Sequence, residues 1–320
     1  MENEILVSII CTTYNHEPYI ANAIESFLMQ KANFKYEILI HDDASTDKTA
    51  EIIREYEKKY PDIIKPIYQK ENQYSKGVKV GTLNRERAVG KYYAICEGDD
   101  YWTDPYKLQK QIDFLENNPD YSLCVHGASV INASTNEKIY DVMPSKSSRD
   151  FSTEEVIIGG GGLFATNSMV YRRKESEKSP DFYNNSPIGD YPLTIFLSLI
   201  GKVYYIDEIM SIYRYLVPGS WTEREFKNIE KQIKHFEVIE RMLKEVDEYT
   251  EYKYSATIKK TILKNKFYLC LEQGKFDEIK KGELREFYNE LNKKEKFLIC
   301  LKKYSPKTVV FLKKAKKVFS

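Results

Sequence analysis

The chain has 320 residues, of which 42% are apolar and 30% charged; the length suits about two domains and the composition excludes global disorder. Its 49 lysines and arginines against 48 aspartates and glutamates leave a net charge of +1, which excludes a protein that grips nucleic acid through overall charge. No run of 18 apolar residues occurs and Met1-Glu2-Asn3-Glu4 lacks the basic start of a secretory leader, so neither a transmembrane helix nor a signal peptide is expected.

The first 130 residues alternate short apolar runs with longer helix-period stretches. Residues 5–11 read as a buried strand. A helix follows over 18–31, with Ile20, Ala23, Ile24, Phe27 and Leu28 three and four apart. Residues 37–41 are the second strand, 47–60 the second helix, and Pro61 ends it. Strands are expected at 63–68 and 92–96. Asp104 and Pro105 then read as N-cap and first helical residue of a helix to about Asn117, and 121–126 is a fifth strand. Such alternation predicts a mostly parallel sheet with helices on both faces. From 132 to 153 loops dominate. Gly159-Gly160-Gly161-Gly162 breaks the chain before a strand-like 164–171. A helix is expected over 192–199 and strands over 203–206 and 209–215.

Beyond Thr222 the pattern becomes charged and helical, with no glycine until Gly274. The last 28 residues hold ten lysines and one glutamate beside Phe297, Leu298, Leu301, Val309, Val310, Phe311, Leu312 and Val318. A basic face with apolar side chains at helical spacing suits an anionic membrane surface. The five cysteines are odd in number, widely spaced and free of any Cys-x-x-Cys. They read as reduced, mostly buried thiols of a cytoplasmic protein.

Ligands of an open parallel sheet bind at the carboxyl ends of its strands. Thr12-Thr13-Tyr14-Asn15-His16 follows the first strand, Asp42 to Asp47 the second, and Glu97-Gly98-Asp99-Asp100 the fourth. Five carboxylates, Asp42, Asp43, Glu97, Asp99 and Asp100, are therefore expected along one edge. Crowded like charges call for a cation. Hard oxygen donors suit Mg²⁺ or Mn²⁺, which in turn suit a diphosphate. Neither a Gly-x-Gly-x-x-Gly fingerprint nor a Gly-x-x-x-x-Gly-Lys-Ser/Thr loop is present, which argues against a nicotinamide oxidoreductase and a phosphate-loop enzyme. The four histidines and the strand-end Cys11 and Cys96 read as structural.

Three blocks in order, Val7 to Asn15, Asp42 to Asp47 and Gly90 to Trp102, with Asp104 to Gln111 after them, resemble a family 2 glycosyltransferase of GT-A fold. The resemblance covers roughly residues 5 to 220. It implies a Rossmann-like, mostly parallel α/β sheet flanked by helices in residues 1–222. Residues 1–130 would bind the nucleotide-sugar and 131–222 would hold the acceptor and the catalytic base. Residues 223–320 would be a helical C-terminal extension. It further implies that Thr12 and Tyr14 line the base, Tyr14 by stacking, and that Asp43, with Asp42 close by, accepts the uracil N3 proton. Asp99 and Asp100 match the family's acidic pair, one contacting the ribose and one holding the metal, with Glu97 where an aspartate is usual. Asp190 would be the base that deprotonates the acceptor hydroxyl, giving inversion. Gly159–Gly162 with Asn167-Ser168-Met169 resembles the acceptor-side segment. Leu216 stands where many relatives carry a histidine, so Arg214 would neutralise the diphosphate, and Trp221 stacks on a sugar or packs in the core. The implied reaction is metal-dependent transfer from a UDP-sugar to a saccharide or lipid-linked saccharide at the inner membrane face, for cell-surface polysaccharide. Two rivals are a sugar-nucleotide-forming nucleotidyltransferase, which wants a glycine-rich basic loop after the first strand, and a non-catalytic scaffold.

Overall fold

The structure, a computed structural model, describes residues 4–304 except 177, 221–222 and 224–227. Trp221 and the apolar positions from Val309 to Val318 lie outside the described residues. The chain divides into two compact units at Ser220/Trp221.

The first unit opens with the expected parallel strands. They are β1 (Ile5–Thr13), β2 (Lys35–Asp42), β3 (Ile64–Tyr68) and β4 (Tyr92–Ile95), side by side in the order β3-β2-β1-β4. The helices α1 (Ile20–Leu28), α2 (Thr49–Lys59) and α4 (Lys107–Asn117) bury their apolar stripes against one face. Val7, Ile9 and Cys11 of β1 meet Ile20, Ile24 and Phe27 of α1 and Ile53 of α2 there, all with no exposed surface. A third helix, α3 (Val80–Arg87), was not expected from the sequence. Its side chains form no apolar stripe. Asn84 instead donates to the Cys11 and Leu39 carbonyls at 2.8 and 2.9 Å, and Arg87 reaches the Lys65 carbonyl at 2.6 Å.

The sheet then continues as a mixed one. β6 (Tyr121–Asn132) and β10 (Lys202–Tyr215) pair in parallel along most of their length. The short β9 (Val170–Arg172) runs antiparallel between β4 and β6, and β5 (Tyr101–Trp102) runs antiparallel on the far side of β10. The predicted strands at 203–206 and 209–215 are one strand, irregular at Ile206/Ile209 and Ile209/Ser211, where Asp207 and Glu208 interrupt the apolar pattern.

Two expectations need correction. Residues 132–153 are not all loop, because β7 (Lys138–Val142) and β8 (Arg149–Phe151) pair antiparallel with β6 and β10. β7 is exposed along almost its whole length, so no apolar alternation announces it. The predicted strand over 164–171 is mostly turn and only its end is β9. Four more helices complete the unit: α5 (Thr153–Gly159), α6 (Arg173–Ser176), α7 (Asp181–Asn184) and α8 (Asp190–Ile200). A full capping box at Ser152 and Glu155 fixes the start of α5.

The second unit is helical, with helices Ile229–Tyr249, Ser255–Glu272, Leu284–Glu290 and Lys293–Tyr304. Asn228 caps the first of them by accepting from the Lys231 N–H at 2.9 Å. Gly274, at φ +73°, ends the second where the sequence places its first glycine. A small core of Phe267, Cys270, Ile279, Leu284 and Phe287 holds this unit together. Among the described residues no helix is long and apolar enough to cross a membrane.

Candidate active site

Because β2, β1 and β4 are neighbours, the segments after them share the carboxyl edge of the sheet. The loop after β1 is tied to the loop after β2. The Asn15 N–H donates to Ser45 Oγ at 2.9 Å, Thr46 N–H to Asn15 Oδ1 at 2.8 Å, and His16 N–H to Thr49 Oγ1 at 2.8 Å. Asn15 takes φ +55° to make the turn, a conformation asparagine tolerates better than most residues. Thr12 pairs with His41 and Thr13 with Asp42 across the strands. Tyr14 stands out from this loop, 39% exposed.

Asp42 and Asp43 are both buried. Burial raises the Asp42 carboxyl above its ordinary value, opposed by the Ser45 hydroxyl and N–H that it accepts. Asp43 has richer support. Its Oδ1 accepts the Gln73 N–H at 2.7 Å, its Oδ2 the Tyr74 N–H at 3.0 Å, and His41 Nε2 lies 3.3 Å from Oδ1. The segment 72–74, which the sequence reading passed over, thus lies directly against Asp43; its unassigned polar run, Glu71-Asn72-Gln73, was the available signal.

Glu97, Asp99 and Asp100 follow β4. The loop begins with a close approach: a Cβ at Gly98 would fall 2.7 Å from Thr13 Oγ1, so only glycine fits. Asp100 turns inward. Its Oδ1 accepts the Arg214 N–H at 2.8 Å and its Oδ2 the Asn167 Nδ2 amide at 2.9 Å. Burial, then Asp99 and Glu97, push its carboxyl well up. Asn167 is fully buried, also bonded to Ile212 O and Ser211 Oγ. It braces Asp100. Asp99 points the other way, with His16 Nε2 3.7 Å from its Oδ2. Glu97 is pushed up to about 8, by burial first and then by Asp99 and Asp190.

That last influence joins the two halves of the unit. Asp190 is the first residue of α8 and its Oδ1 accepts the Tyr191 N–H at 2.7 Å. Burial raises its carboxyl as well. The glycine run lies against it. A Cβ at Gly161 would sit 3.7 Å from Asp190 Oδ1, and Gly160 takes φ +69°.

Arg214 closes the site from β10. Its Nη1 donates to the Asp99 carbonyl at 2.6 Å and its Nη2 to Asn22 Oδ1 at 3.0 Å. Its guanidinium lies between the Tyr19 and Tyr101 rings, 5.0 and 4.5 Å from their centres. A cleft of about 460 Å³ opens beside it, with Asn136 on the other wall.

The five carboxylates share one edge but do not gather into a single donor set. β1 separates β2 from β4, which puts the two groups roughly 10 Å apart. Among the described residues no three His, Cys, Asp or Glu side chains could hold a metal ion by themselves. Glu97, Asp99 and Asp190 nonetheless crowd negative charge with little basic compensation, since Arg214 bonds the Asp99 carbonyl rather than its carboxylate. These three carboxylates do not make a metal site by themselves, and a divalent cation here would need further oxygens from a substrate. Glu97 and Asp99 would hold it.

The comparisons with known proteins give the family and the fold. Residues 8–179 match the model of glycosyl transferase family 2. An uncharacterized protein of Mycobacterium tuberculosis strain H37Rv is 36% identical over 219 residues, which is 67% of this chain and 60% of the relative. The chain therefore spans about 60% of the length of that relative. TuaG of Bacillus subtilis, provisionally named a teichuronic acid biosynthesis glycosyltransferase, is 28% identical over 74% of this chain and 89% of its own. Among solved structures, residues 1–349 of S. aureus TarS superpose with a TM-score of 0.62 at 17% identity, covering 85% of this chain and 74% of that one. TarS has also been solved with UDP-GlcNAc. The Pyrobaculum calidifontis mannosyltransferase PcManGT, solved with GDP-Man and Mn²⁺, gives 0.55 at 15% identity over 94% of this chain and 81% of its own. The fold is of GT-A type, and with more than half its length matching the family model the chain belongs to glycosyltransferase family 2.

Proposed function

We propose that this glycosyltransferase moves a sugar from a nucleotide-diphospho-sugar of UDP type to a hydroxyl of a saccharide or lipid-linked saccharide, with inversion. The observation that supports the reading is that Asp190, at the start of α8 beside the glycine run, is buried near enough to the acidic loop after β4 to raise Glu97. Thr12 and the exposed Tyr14 border the pocket where Asp43 meets the base. Asp100 acts by holding the loop, which leaves Asp99 and Glu97 toward the diphosphate, and Arg214 faces the same charge. TarS with UDP-GlcNAc and PcManGT with GDP-Man and Mn²⁺ support a donor of this class and a divalent ion. A divalent cation, when bound, would offset charge on the departing diphosphate.

Asp190 takes the acceptor proton as the hydroxyl oxygen attacks the anomeric carbon from the side opposite the diphosphate. One C–O bond forms as the bond to the diphosphate oxygen breaks, so the configuration inverts in a single displacement. A carboxyl raised by burial is a stronger base than an exposed one. Asp190→Asn should keep the thermal shift given by UDP with Mn²⁺ and lose about 10²–10⁴-fold in transfer. Near-normal turnover in that variant sinks the assignment, and GDP shifting the melting point more than UDP sinks the choice of base.

A further inference from the structure

Helix Lys293–Tyr304 has two faces of different character. Ile299 packs against the core of the second unit. Lys303 Nζ donates to Asp277 Oδ1 at 2.6 Å and Lys296 Nζ to the Asn289 carbonyl at 2.9 Å. These contacts fix how the helix is turned. Away from them Phe297, Leu298 and Tyr304 stand 62%, 43% and 72% exposed. Phe297, Leu301 and Tyr304 are spaced four and three apart, so they form one stripe, and the exposed Lys293 and Lys294 border it. The sequence after Tyr304 adds Lys307, Lys313, Lys314, Lys316 and Lys317 and no acid.

Apolar side chains held out in water inside a basic field match two chemistries of a partner at once, an anionic layer with a hydrocarbon layer beneath it. A nucleic acid or acidic polysaccharide would meet the lysines but leave Phe297 and Tyr304 wet. We propose that this helix face seats the chain on an anionic lipid surface, with Phe297, Leu298 and Tyr304 entering the acyl boundary and the lysines meeting the head groups. The purpose of such docking rests on the proposed transfer to a lipid-linked acceptor; its test does not.

The full chain is sedimented with vesicles of phosphatidylcholine alone and with vesicles that are about one-third phosphatidylglycerol. It should pellet with the anionic vesicles and be released as salt rises. The double variant Phe297→Ser, Tyr304→Ser should bind them about tenfold more weakly, with an unchanged melting temperature and an unchanged UDP thermal shift. Three outcomes overturn the proposal: the parent chain staying in the supernatant with both vesicle types, the double variant pelleting like the parent, or a dimer in sedimentation velocity that Phe297→Ser dissociates. None of them bears on Asp190 or on transfer.

Discussion

Two glutamates at opposite edges of the parallel sheet show how the same side chain can be frame or machinery. Glu37, near the amino edge of β2, is buried, which alone would raise its carboxyl. It accepts from Lys65 at 2.8 Å, Ser8 at 2.6 Å and the Val89 N–H at 3.0 Å, and these hold it below its ordinary value. Glu97, at the carboxyl edge of β4, is pushed up to about 8 by burial first and then by Asp99 and Asp190, with no cation among the causes to oppose them. The chain satisfies Glu37 from within and leaves Glu97 in deficit among other acids. An uncompensated buried charge has a cost in the free protein that a bound cation can offset, so the deficit marks where a ligand is wanted.

The sharpest way to break this contrast is Asp99→Asn. It should erase the Mn²⁺-dependent part of the UDP thermal shift and lower transfer by about 10²-fold or more. An unchanged metal dependence would move the cation elsewhere. Next come exchanges at the two edges. Glu37→Gln should destabilise the chain by about 1–3 kcal/mol, since Lys65 and Ser8 lose a charged acceptor. Glu97→Gln should leave the metal-free chain about as stable as the parent at neutral pH, where the raised carboxyl is mostly protonated, and more stable at higher pH, where a charge beside Asp99 and Asp190 is avoided. Calorimetry of the pair without metal decides, and equal losses would end the distinction. Asn167→Ala belongs with the frame and should cost about 1–3 kcal/mol by stripping Asp100 Oδ2 of its donor.

A further effect is in pH. Glu97 has a folded value of about 8 against an ordinary 4.5, so its stabilising share is complete below about 4.5 and is lost as pH rises through 8. Glu37 is shifted down, so its share is present above 4.5 and is lost as pH falls through its lowered value. Without metal, the parent should therefore lose stability relative to Glu97→Gln between about pH 5 and 9, and lose its advantage over Glu37→Gln in acid. A parallel pair of melting curves across that range would contradict the assignment of either group.

Much of this was legible in the residues. β1, β2, α1, α2 and α4 declare themselves because each buries an apolar run or stripe, and the strand-end carboxylates follow from where those strands stop. What escaped were elements whose pattern is not apolar: α3, which docks through Asn84 and Arg87, and β7, which faces water. The partners of the acids also escaped. Gln73, Tyr74, Asn167 and the Arg214 N–H reach them from 30 to 114 positions away, and three of these four bonds come from backbone amides, which leave no trace in residue type. Asn167 was placed only in a segment resembling the acceptor side, and nothing in its residue type announced that its amide bonds Asp100.

Arg214 binds Asp100 through its own N–H and Asp99 through its guanidinium. The acidic loop that follows β4 is thus shaped by a strand made more than a hundred residues later. A fragment ending before residue 202 would lack both of these bonds, while the bonds that Asp43 accepts from Gln73 and Tyr74 lie wholly within it. Chain order thus separates the two acidic loops, since one is braced by residues close in sequence and the other waits for the end of the sheet.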